Sequence, residues 1–89
     1  MKVYWQVARQ GLRLVLADGE REEIIGGARE TKRGVDAFAK ALGYDPDRAR
    51  REIASLDEAK AFVESFKPWE LFAHDQELSV EPGVKPLDG

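Results

Sequence analysis

Residues 31–43 read "TKRGVDAFAKALG", and the period assigned to this stretch decides the fold. Val35, Phe38, Ala39 and Leu42 fall at i, i+3, i+4 and i+7, the apolar spacing of one helix face. Thr31 is of a type that accepts an orphan amide at a helix N-terminus, and Gly43 supplies a left-handed stop. The spacing predicts a helix from Thr31 to Leu42.

Upstream the period is two. Val3, Trp5 and Val7 alternate with Tyr4, Gln6 and Ala8, and Leu12, Leu14 and Leu16 alternate with Arg13 and Val15. Gln10-Gly11 and Asp18-Gly19 are turn dipeptides, the second a strong hairpin signal. Glu22 to Ala28 reads as a third strand, with Gly26-Gly27 marking a bulge or the strand's end. Such short connections cannot make parallel crossovers, so the strands form an antiparallel meander.

Downstream, Asp45-Pro46 offers an N-cap and a first-turn proline for a second helix, Pro46 to Ala54. Ser55 and Glu58 form a capping box that opens a third, running to Phe66. Leu56, Ala59, Phe62, Val63 and Phe66 make its stripe. In the stretch "AHDQELSVEPGVKPLDG" (73–89), Leu78 and Val80 suit one edge strand whose length Pro82 limits.

The expected fold is α+β: a three-stranded antiparallel sheet (β-β-β) followed by two to three short helices packed on one face. Residues 1–73 form the single domain, and 74–89 an extended, acidic and flexible C-terminal tail. The predicted core is Val3, Trp5, Val7, Leu12, Leu14, Leu16, Ile24, Val35, Phe38, Leu42, Ile53, Leu56, Ala59, Phe62, Val63 and Phe66.

Composition excludes several function classes. Without Cys, the 89 residues hold no disulfide, thiolate nucleophile or Cys-ligated metal. No apolar run approaches the roughly 18 residues of a membrane span, so no membrane partner is expected. The first residues lack the apolar stretch of a signal peptide, and a cytoplasmic location follows by default. Net charge is −3, unevenly spread: 11 Lys and Arg against 9 Asp and Glu over 1–54, then 3 against 8 over 55–89.

Chemistry is scarce. His74 is the only histidine, and Thr31 and Ser55 are spoken for as caps. A triad needs nucleophile, base and orienting acid together, which His74-Asp75 alone does not supply. His74, Asp75 and Glu77 offer three ligand types but no second His or Cys to fix a metal. "GGARETKRG" lacks both the Walker spacing and the dinucleotide fingerprint. The sequence therefore predicts no catalytic residue, no metal and no cofactor: not an enzyme.

Two surfaces remain. Arg48, Arg50 and Arg51, with Arg29, Lys32 and Arg33, would contact an anion or nucleic acid if the fold gathered them on one side. Asp47–Arg51 and Arg48–Glu52 spacings also permit local ion pairs on a helix. In "FKPWELF" (66–72), Phe66, Trp69 and Phe72 are three apart. They either close the core or anchor a partner or a second copy of the chain. The expected function is a small non-catalytic interaction module that binds a protein partner or itself, as a homodimer. The alternative is a nucleic-acid-binding domain using a basic patch from residues 29–51.

Overall fold

A computed structural model describes residues 2–43, 45–72 and 79–85, the last as backbone. Six strands form one sheet: β1 (Lys2–Ala8), β2 (Gly11–Asp18), β3 (Arg21–Thr31), β4 (Gly34–Ala39), β5 (Ala49–Ile53) and β6 (Ser79–Lys85). The single α-helix among the described residues, α1 (Leu56–Ser65), follows β5. Strand order is β5-β4-β3-β2-β1-β6. Strands β1 to β5 make a continuous antiparallel meander, while β6 pairs with β1 in parallel.

The expected three strands and two to three helices are thus corrected to a larger sheet carrying one helix. Residues 34–39 are not helical but form β4, hydrogen-bonded to β3 from Gly26↔Ala39 to Thr31↔Gly34. The helix template and the strand template share Val35 and Ala39. The strand template adds Ala37, and all three are buried. Without β4, the upper half of β3 would leave a run of backbone amides and carbonyls without partners. Thr31 does accept an amide, but that of Arg33 at 3.2 Å, while donating to the carbonyl of Gly34 at 2.9 Å. The hydroxyl that would cap a helix instead staples a hairpin turn, a role the same side chain performs equally well.

The helix expected over 46–54 is also corrected. Asp45 caps a single 3₁₀ turn, Pro46–Arg48, by accepting from the amide of Asp47, and the chain then extends as β5. Only Ile53 of β5 is buried. A stretch with one inward side chain has no stripe to hold a helix against a core, and ladder bonds to β4 decide instead. The capping box at Ser55 is present: its hydroxyl accepts from the amide of Glu58 at 3.1 Å.

Helix α1 lies across β3, β4 and β5. Gly26, Ala28, Ala37 and Ala39 floor its seat, and Ala59 and Val63 fill it, both fully buried. Gly26 is required there, because an added Cβ would stand 2.6 Å from Cγ1 of Val63. In the last turn of α1, Oε1 of Glu64 accepts the indole N–H of Trp5 at 2.7 Å. Phe62, Phe66, Trp69 and Phe72 pack against the same core.

Strand β3 carries a bulge. Leu14 pairs with Gly26 but Val15 with Ile24, so Ile25 is the extra residue. Alternation from Ala28 through Gly26 would turn Ile24 inward; the bulge turns Ile25 inward instead, fully buried, and leaves Ile24 47% exposed. Strand β6 has its own irregularity. Val3 and Trp5 pair with Val80 and Val84, so extra residues around Pro82 are looped out of the ladder, as a proline at a sheet edge requires. Four expected core residues are therefore corrected to exposed ones: Val7, Ile24, Phe38 and Leu42.

Candidate binding surface

Residues directly opposite across a ladder share a face. The pairings Gln6↔Arg13, Arg13↔Gly27, Gly27↔Phe38 and Phe38↔Ala49 therefore align one row across five strands, on the face away from α1. Above it lies Tyr4↔Val15↔Ile24, and below it Gly11↔Arg29↔Asp36. The protein measures 38 × 32 × 18 Å between Cα extremes. The short dimension accommodates one sheet and one helix layer, about 10 Å apart in packed structures.

The β1–β2 half of this open face is closed. Tyr4, Gln6 and Val15 are buried, and the Tyr4 hydroxyl donates to Oε2 of Glu22 at 2.8 Å. The β3–β4 half is not. Phe38 is 46% exposed beside the equally exposed Ile24. Its ring reaches over Gly27, where an added Cβ would meet Cε1 at 2.8 Å. A glycine under an aromatic ring lets the ring rest on the backbone and present its outer surface.

Two arginines flank the ring. Arg13 donates from Nε to Oε1 of Gln6 at 2.8 Å, and its Nη2 bonds the same oxygen. Arg29 donates from Nε to Oε1 of Gln10 at 2.8 Å. Both guanidinium groups are thus oriented by neutral amides. Asp36 stands opposite Arg29, but its Oδ1 accepts from the amide of Glu52 at 3.3 Å.

The six basic residues singled out from the sequence are not brought together. Arg48 and Arg50 lie on the helix side, over the rings of Phe66 and Phe62 at 5.4 and 5.2 Å. Arg29 is on the opposite face, Lys32 and Arg33 form the β3–β4 turn, and Arg51 is exposed on the edge strand. Arg48 also pairs with Asp45 at 3.3 Å, and Arg33 with Glu52 at 3.9 Å. Phe66, Trp69 and Phe72 are partly buried against the core. Cations of the same chain cover two of these rings, Arg48 over Phe66 and Lys40 over Phe72 at 5.3 Å.

Missed in the sequence were Arg13, Gln6, Gln10, Ile24 and Phe38. A readable signal existed: with residues 34–39 taken as a strand, Phe38 falls on the face opposite Val35, Ala37 and Ala39, and a two-residue turn sets it against Gly27. Among the described residues no cluster of three His, Cys, Asp or Glu is placed to hold a metal. His74, Asp75 and Glu77 lie outside the described residues. A groove of about 470 Å³ beside the start of α1 is lined by Val7, Leu12, Glu30 and Leu56 among others, with no Ser, Thr, Cys, His or Lys among the described residues that line it. No helix among the described residues is long and apolar enough to cross a membrane.

Comparison with models of known protein families, with curated proteins and with solved structures finds no match for this chain.

Proposed function

We propose that the protein is a small non-catalytic interaction module that docks its partner on the open face of the sheet. The observation that carries this reading is Phe38, half-exposed with its ring over Gly27, with Ile24 beside it and Arg13 and Arg29 around it. Single exposed apolar residues are ordinary on protein surfaces; apolar side chains grouped with oriented charges are a binding pattern. The aromatic segment 66–72 is the weaker anchor, since it packs on the core and its own chain's cations cover part of it.

Sheet-edge pairing through β5 is disfavoured. That strand is short, carries Arg50, Arg51 and Glu52, and is bent by Glu52 at φ 58°. These are the features by which proteins blunt an edge.

The test compares three immobilised proteins in cell extract: wild type, the double variant Ile24→Glu/Phe38→Glu, and Lys67→Glu on the helix side as control. Circular dichroism and light scattering verify fold and size. The expected result is a ligand, or self-association, lost only in the double variant. Identical binding by all three, with the fold intact, refutes the open face as the docking surface.

A further inference from the structure

We infer that the occupant of the open face is a single-stranded nucleic acid, with a base on Phe38 and the backbone phosphates on Arg13 and Arg29. This rests on the reading that the open face is the docking surface, and names what docks there.

The charge pattern selects a polyanion. Arg33, Lys40 and Arg48 each spend their charge on a carboxylate of this chain, Glu52, Glu23 and Asp45. Among the described residues Arg13 and Arg29 have no such carboxylate. Gln6 holds Arg13 by Nε and Nη2 and Gln10 holds Arg29 by Nε, which fixes each guanidinium plane while leaving its positive charge, Nη1 of Arg13 and both outer nitrogens of Arg29 for an external acceptor. Arg recognises phosphate best in such a pre-set orientation.

The ring selects a base. Phe38 leaves 46% of its surface open with its ring over Gly27, and stacking of a base on an aromatic ring tolerates any base. Arg13 and Phe38 sit on either side of Gly27, and Arg29 lies two residues along β3 on the same face. Arg13 and Arg29 are diagonal neighbours, roughly 7–8 Å apart at Cα. A strand whose phosphates run over β2 and β3 therefore turns its bases toward β4. Asp36 gives the track its direction: a carboxylate on the β4 side repels phosphate there and leaves that side to the base.

Single strands fit better than duplex. Among the described residues no element projects from the open face to enter a groove, and stacking on Phe38 needs an unpaired base. The β2–β3 hairpin at one end carries Asp18, Glu20, Glu22 and Glu23 against Arg21, which limits the footprint to a short segment.

The experiment is fluorescence anisotropy of the full chain with a labelled 12-nucleotide oligothymidine and a 12-base-pair duplex. Two phosphate contacts give a salt slope near −1.4, so affinity for the single strand should fall about sevenfold between 50 and 200 mM salt. Phe38→Ala and Phe38→Leu should weaken binding by about fivefold or more, while Phe38→Tyr retains it. Arg13→Gln or Arg29→Gln should each flatten the slope by about 0.7, and these exposed-face variants serve should any Phe38 variant fail to fold. No binding at 50 mM salt, equal affinity for duplex, or full binding by Phe38→Leu overturns the inference. A dimer in light scattering that Phe38→Glu dissolves also overturns it, yet leaves the open face standing as a docking surface. Oligothymidine binding that survives Ile24→Glu/Phe38→Glu would overturn both.

Discussion

The seat of α1 on β3 and β4 can be tested by exchanging volume between Gly26 and Val63. Gly26→Ala places a methyl 2.6 Å from Cγ1 of Val63 and 3.1 Å from the carbonyl oxygen of Phe38, against ordinary contacts of 3.4 to 4 Å. Val63 must retreat by about 0.8 Å in a fully buried site, and close-packed interiors resist that. Overpacking of this kind costs about 1–3 kcal/mol, offset by roughly 0.5–1 kcal/mol because alanine loses less backbone freedom than glycine. Val63→Ala alone removes two methyl-sized groups and leaves a void, at about 2–3 kcal/mol. Additive effects would then total roughly 4 kcal/mol. If the two atoms touch, the new methyl partly fills the void and the clash disappears. The double variant should then lose only about 2 kcal/mol, the remainder being strain against the Phe38 carbonyl. Urea titrations followed by tryptophan fluorescence resolve this, since a slope near 1 kcal/mol/M turns a coupling of that size into a midpoint difference of about 2 M. Strict additivity, with unchanged slopes, would mean that α1 does not cross β3 at Gly26, and the packing described above would be wrong.

Other consequences are local. Glu64→Ala strands the indole N–H of buried Trp5 and should cost about 1–3 kcal/mol, whereas Glu64→Gln keeps an acceptor and should cost less than half as much; equal losses by thermal unfolding would refute the role of that bond. Lys67, at φ 47° between the end of α1 and Pro68, occupies a left-handed position that favours glycine, so Lys67→Gly should raise stability by about 1 kcal/mol in urea. Glu52→Gly at φ 58° should gain less, because it also gives up the exposed contact with Arg33; a larger gain at residue 52 than at 67 would contradict this ordering. Thr31→Ala should lower stability by about 0.5–1.5 kcal/mol through loss of the turn bonds to Arg33 and Gly34, while Thr31→Ser preserves them.

Much of the fold was legible from local rules. The first two hairpins follow from clean alternation and from Gly-containing turns, and α1 from a capping box followed by a full stripe. These elements agree at every level: turn chemistry, period and burial point the same way. The stretch from Thr31 to Ile53 did not offer that agreement. Val35 and Ala39 satisfy both periods, Thr31 bonds an amide in either geometry, and Asp45-Pro46 begins a 3₁₀ turn as readily as an α-helix. What settled the matter was non-local: the open ladder of β3 and a floor of small residues, Gly26, Ala28, Ala37 and Ala39, on which one helix could sit.

The same ambiguity concealed the candidate surface. A helix over 31–42 turns Phe38 into the core with Val35, and strict alternation along β3 does the same to Ile24. As a strand, β4 sends Phe38 to the other face, and the bulge at Ile25 sends Ile24 after it. Neither displacement changes how hydrophobic the residue is, only which side of the sheet it occupies, so no count of apolar positions could detect it. The informative residue was Gly27, a weak strand former retained in the middle of the longest strand. Its cost to β3 is recovered only if something lies on it, and that something is the ring of Phe38. Gly27→Ala is therefore the variant that separates fold from surface. It should leave α1 and its seat untouched, yet lift the ring from the sheet, disturbing ligand contact more than stability.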